Sequence, residues 1–169
     1  MSARRVKAFA AVGTIALLLL AAPASAAPPR AGVLAPAKSL GGLALGATPA
    51  QVRAAWGPRH GTCRGCRAPT WYFNFARFEP EGAGVTFRGG RAVALFTIWA
   101  PKGWRTDRGL KIGDDASRAT TLYRGLVRIA CGTYYALTLN GANAVTSIYV
   151  HDEKVWGFGL SRPREPVCR

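Results

Sequence analysis

Cys63-Arg64-Gly65-Cys66 is the one stretch of this chain whose residue types and spacing suit redox chemistry. Arg59, His60, Arg64 and Arg67 surround it, and cationic neighbours favour a thiolate, the reactive form of cysteine. Thiol–disulfide exchange is therefore the alternative function to weigh. A thioredoxin-type pair, however, sits at the start of a helix after a buried strand. Here Arg67-Ala68-Pro69 and an aromatic run follow, so no helix dipole stands behind the thiols. A structural disulfide is the preferred reading. Covalent haem attachment needs histidine after the second cysteine, and Arg67 stands there. His60, Cys63, Cys66 and Cys131 could ligate zinc by residue type, but disulfides compete for the same sulfurs, and no metal is expected.

Hydrolytic chemistry has little to work with. His60 and His151 are the two histidines, and no Gly-x-Ser-x-Gly turn occurs. Asp152 adjoins His151 at the tip of an expected hairpin, where both are solvated. Glu79 and Glu81 fall in a Pro/Gly-rich loop and read as solubilising charges. No catalytic residue and no cofactor-binding residue is assigned, and the chain is expected not to be an enzyme.

The elements that must position any site begin after an export signal. Arg4, Arg5 and Lys7 precede the apolar stretch 8–22, Pro23 breaks it, and Ala24-Ser25-Ala26 is a small-x-small cleavage site. Residues 1–26 thus read as a signal peptide. The apolar stretch is shorter than the roughly 20 residues a bilayer span needs, so no integral membrane association is expected after cleavage. Residues 27–38, rich in Pro and Ala, read as a disordered leader. Residues 39–169 are one domain's length.

An exported chain with four cysteines, Cys63, Cys66, Cys131 and Cys168, is expected to form disulfides. Three pairings are open. The short spacing favours Cys63–Cys66, with Gly65 in the turn, which leaves Cys131–Cys168 to pin the C-terminus. Lys and Arg number 23 against 8 Asp and Glu. Such a field favours anionic partners, although the arginines are scattered along the chain rather than clustered.

The domain carries one pattern twice. Gly42-Leu43-Ala44-Leu45-Gly46-Ala47-Thr48 recurs as Gly109-Leu110-Lys111-Ile112-Gly113-Asp114-Asp115, and the segment 85–93 lines up with 148–156. Repeat one spans 39–100 and repeat two 109–169. Thr48-Pro49-Ala50-Gln51 has the capping-box form, with Pro at the first helical position. Gly57-Pro58 ends that helix. Asp115 takes the cap position in the second copy. In 70–77, Trp71, Phe73 and Phe75 alternate with Tyr72 and Asn74. Gly89-Gly90 and Asp152-Glu153 mark two-residue hairpins. The expected order is helix, strand, hairpin, twice. The expected fold class is α+β, with one antiparallel sheet and helices packed on one face. Residues 100–108, with a lone Trp104, read as a linker.

Leu43-x-Leu45-Gly46-x-Thr48-x-x-x-Val52, with its second copy at Leu110-x-Ile112-Gly113-Asp114-Asp115, resembles the repeat of β-lactamase-inhibitory-protein-like domains and of SmpA/OmlA-type small lipoproteins. The resemblance covers most of residues 40–160. It implies a tandem α+β domain whose sheet presents a binding face, and functions in protein binding. Those inhibitors close one longer disulfide loop in each unit, whereas Cys63 and Cys66 are three apart here, so no contact residue is carried over.

The expectation is an exported, monomeric, non-enzymatic binding module, possessing an inhibitor-like architecture. Its partner is an unknown protein or an anionic cell-wall polymer and not a nucleic acid. Tyr72, Asn74, Tyr134, Tyr135 and Trp104 are the candidate partner-binding residues, because aromatic side chains on an open sheet face suit such contacts.

Overall fold

The computed structural model describes residues 31–169. The expected signal peptide and residues 27–30 of the expected leader lie outside the described residues. In chain order the elements are β1 (Gly32–Ala35), β2 (Ser39–Leu40), α1 (Pro49–Trp56), β3 (Gly61–Thr62), β4 (Thr70–Asn74), β5 (Gly82–Arg88), β6 (Arg91–Ile98), β7 (Trp104–Thr106), α2 (Ala116–Leu122), β8 (Val127–Ala130), β9 (Tyr135–Asn140), β10 (Val145–His151) and β11 (Lys154–Ser161).

The expected α+β class is overturned. The protein is mostly β, with an eight-stranded antiparallel sheet in the order β3-β4-β5-β6-β11-β10-β9-β8 and a separate three-stranded sheet, β2-β1-β7. No helical layer covers the large sheet. The reason is length. A helix of eight residues, like α1, is about 12 Å long, whereas eight strands at about 4.8 Å spacing make a sheet roughly 34 Å across. Each helix buries only two side chains, Val52 and Trp56 from α1, Ala116 and Ala119 from α2.

The three-stranded sheet contributes Leu34, Leu40 and Trp104 to the main core, and it is built from segments that read as unstructured. Residues 32–35 were expected within the disordered leader, yet β1 pairs in parallel with β7 and buries Leu34 completely. The Ala37 amide donates to Thr146 Oγ1 at 2.9 Å, tying the same segment to β10. The expected linker supplies β7 and buries Trp104. Strands of three or four residues bury one large side chain each, too few to show a period.

Local signals act as the residue chemistry dictates. Thr48 Oγ1 accepts from the Gln51 amide at 3.3 Å, and Gln51 Oε1 accepts from the Thr48 amide at 2.8 Å, closing the capping box. Asp115 occupies the cap position of α2 but makes no side-chain cap bond; its carboxylate takes Lys154 Nζ at 2.6 Å instead. Gly89-Gly90 joins β5 to β6, and Asp152-Glu153 joins β10 to β11, all four residues having positive φ. Both hairpins carry a register shift near that turn, at Thr86/Phe87 and at Tyr149/Val150.

Strand alternation divides the sheet into two faces. Phe73, Val85, Phe87, Leu95, Phe158, Leu160, Ile148 and Val150 point into the main core with Trp56 and Trp104. Phe96, Ala136 and Tyr149 belong to a smaller cluster on the other face. What covers that second face is the chain's own tail, residues 162–169.

Candidate functional site

The second face is paved for close approach. One row across the strands reads Tyr72, Gly84, Phe96, Gly159, Ser147. A side chain at Gly84 would run into the Phe96 ring, and one at Gly159 into the Tyr149 hydroxyl. Glycine at these positions lets large rings lie over the backbone. Tyr72 and Phe96 face each other edge-on across Gly84, with ring centroids 6.1 Å apart.

The tail crosses this face and is held at several points. Arg88 donates to both carboxylate oxygens of Glu165, at 2.7 and 3.3 Å. That contact holds the Arg88 guanidinium above its ordinary pKa, the hydrogen bond first and the charge second. Tyr149 Oη donates to Val167 O at 3.0 Å. Tyr134 Oη donates to Arg169 O and accepts from the Arg169 amide, both at 2.6 Å. The Arg169 guanidinium stands 5.2 Å from the centroid of the Phe96 ring. A disulfide, Cys131–Cys168, fixes the end, with Cα atoms 5.4 Å apart.

The tail covers the face only in part. Between it and the loop 66–68 lies a groove of about 860 Å³, within the roughly 300–1,000 Å³ range of ligand sites. Thr70, Tyr72, Asn74, Thr86, Phe96 and Ile98 line its sheet side. Cys66, Arg67 and Ala68 make one wall, and the tail residues Arg164, Glu165, Pro166, Cys168 and Arg169 the other. The second disulfide, Cys63–Cys66, Cα atoms 5.6 Å apart, shapes the first wall. Both pairs named from the sequence are therefore bonded, and each bridge anchors one wall.

Trp99 and Trp156 stand at the end of the groove, ring centroids 6.2 Å apart. Trp99 is 59% exposed and has φ of 59°. Ala100, the residue before Pro101, has φ of 50°. A left-handed backbone costs a non-glycine residue about 1–2 kcal/mol, and such outliers gather where a side chain must be presented. Here they turn the chain out of β6 with the indole in solvent.

The five expected partner-binding residues scatter. Tyr72 and Asn74 line the groove. Tyr134 is engaged by the tail, so it is a clamp on the chain's own end. Tyr135 packs against the main core, with its hydroxyl donating to Glu153 Oε2 at 3.0 Å and the Arg128 guanidinium 3.7 Å from its ring centroid. Trp104 is corrected outright: it is 1% exposed and edge-on to Trp56 at 6.4 Å, a core residue with no surface to offer. Its Nε1 has no partner among the described residues. Phe96, Trp99, Trp156 and the arginines of the groove went unread. Phe96 and Ile98 alternate with Leu95 and Thr97 along β6, which was the available signal.

The Cys63–Cys66 turn lies between β3 and β4, and His60 stacks on Trp71 beside it with centroids 3.8 Å apart. Among the described residues no group of three or more His, Cys, Asp and Glu side chains is placed to hold a metal ion.

No protein-family model matches this chain, and no curated protein does. Among solved structures, an extracellular protein containing a SCP domain from Bacillus anthracis str. Ames is similar, with a TM-score of 0.51 and 10% identity. The match covers 70% of this chain and 44% of that one, so this chain spans less than half the length of its structural neighbour, and the likeness is one of fold alone.

Proposed function

We propose that this chain is an exported, non-enzymatic binding module and that the groove on the second sheet face is its binding site. The observation that carries the reading is a face left half-open by the tail, lined by Tyr72, Phe96, Trp99 and Trp156 and flanked by Arg67, Arg164 and Arg169. Aromatic side chains and arginine are the residue types enriched where proteins bind partners. Export is supported by the basic, apolar, small-residue order of residues 1–26, by the two disulfides and by a structural neighbour that is an extracellular protein. Binding is preferred to disulfide exchange because the Cys63–Cys66 turn leads into a strand, with no helix N-terminus to stabilise a thiolate.

The test compares the exported protein with its Trp99→Ala and Thr86→Tyr variants as immobilised bait for secreted-protein and cell-wall fractions. Material retained by the parent and lost by both variants supports the groove as the site. Material retained equally by all three places the site elsewhere and overturns the reading.

A further inference from the structure

We infer that the groove takes an extended acidic peptide segment, lying on one half of the sheet as the chain's own tail lies on the other. This rests on the groove being the binding site. The starting point is that this face already holds a peptide. Tyr149 and Tyr134 hold the tail through the backbone of Val167 and Arg169, and the Arg169 side chain adds a contact to the Tyr149 hydroxyl. Backbone carbonyls and amides are supplied by any polypeptide, so the contacts are of a kind that a second segment can make.

The two halves of the sheet differ at one decisive position. Tyr149 stands just before the register shift of β10, and Thr86 just before that of β5. The tyrosine fills its half and reaches the tail. The threonine is too short to fill the groove that it lines, and its hydroxyl pairs with Thr70 Oγ1 at 3.1 Å. Tyr72 and Asn74 line the same groove from one side of β4. Trp99 and Trp156 at its end offer an apolar platform for a side chain of the segment.

Charge selects the kind of segment. Glu165 is the acidic side chain in the groove lining, and Arg88 already engages it. Arg67 and Arg164 enter no ion pair among the described residues. The Arg169 Nε is buried without an acceptor among them. Carboxylates presented to this lining gain charge-assisted hydrogen bonds. The same logic disfavours the chain as its own occupant. Residues 1–30 contain no Asp or Glu, and a second copy, whose formal net charge falls from +15 to +12 when Arg4, Arg5 and Lys7 leave with the signal peptide, meets an equal charge.

The experiment selects random nine-residue peptides displayed on phage against the exported protein, with Thr86→Tyr as the counter-bait. Tyrosine there mimics Tyr149 and fills the groove. Selected peptides are then synthesised and titrated by tryptophan fluorescence against the parent, Thr86→Tyr and Arg67→Glu, the last an exposed position that spares the fold. Oligogalacturonate and glycerol-phosphate polymer are titrated in parallel. The expected result is enrichment of Asp and Glu, and synthetic binders weakened at least tenfold by either variant and by added salt. Peptides without acidic bias, or acidic peptides that bind Arg67→Glu as well as the parent, overturn the inference. If only a polymer binds, and Thr86→Tyr abolishes that binding, the peptide inference falls while the groove reading stands. Ligands indifferent to both variants overturn the groove reading itself.

Discussion

The Tyr149 hydroxyl donates to the Val167 carbonyl at 3.0 Å from a side chain almost wholly removed from solvent. Burial pushes this phenol above the ordinary tyrosine range, because the phenolate would be left without water. In the unfolded chain the group loses its proton near pH 10, while in the fold it keeps it. Stability from this group is therefore complete below about pH 10 and falls as pH rises above that, by up to about 1.4 kcal/mol per pH unit. Tyr123 and Tyr135 are raised as well, by burial first. Urea unfolding between pH 8 and 11 should show an alkaline decline that is shallower, but not absent, in Tyr149→Phe. An unchanged slope in that variant would sink the assignment.

Trp104 and Trp99 should behave as opposites. Trp104→Ala removes a fully buried indole from between β1 and α1, at a cost of about 3–5 kcal/mol. Trp99→Ala removes an exposed one and should change stability by under about 1 kcal/mol. Thermal denaturation of both variants is the check. A large loss in Trp99→Ala would mean that its indole serves packing and not presentation.

The two bridges differ in what they constrain. Cys131–Cys168 spans 37 positions, and loop-closure entropy assigns such a bridge about 3–4 kcal/mol. Cys63–Cys66 spans three and constrains little of the unfolded chain. Cys168→Ser should lower the melting temperature far more than Cys66→Ser, whereas Cys66→Ser should weaken ligand binding by loosening the wall that carries Arg67. Equal thermal losses would contradict this division.

The Asp152-Glu153 turn carries strain that its counterpart lacks. Both residues have positive φ, 49° and 57°, where the other hairpin uses Gly89-Gly90. Asp152 is exposed, and its side-chain partner is His151 at 3.2 Å. Asp152→Gly should relieve about 1 kcal/mol, partly offset by the greater freedom of glycine in the unfolded chain. The melting temperature should rise slightly. A fall would show that the His151 contact outweighs the backbone term.

Short-range chemistry was legible in the sequence, and long-range partnership was not. Thr48 and Gln51 are three apart, and their capping box forms as read. Trp71 and Phe73 alternate with Tyr72 and Asn74, so the two faces of β4 could be assigned before any fold was known. The same alternation says nothing about what lies over a face. That is how a helical layer was expected where the three-stranded sheet adds Leu34, Leu40 and Trp104 to the core. Leu34 and Trp104 are single apolar residues in short segments, and their burial is decided by each other's strands across some 70 positions. Tyr134 looked like surface because its partner, Arg169, lies at the far end of the chain.

Because each disulfide anchors one wall of the groove, the depth of the site depends on oxidation. A chain still bearing four thiols keeps the floor of Tyr72, Phe96 and Thr86, but its tail hangs on an ion pair and a few hydrogen bonds, and the loop before β4 has lost its turn. On the proposed function, recognition is thereby coupled to redox history. A partner met before the sulfurs are joined would then meet a shallow basic plate with no defined edges.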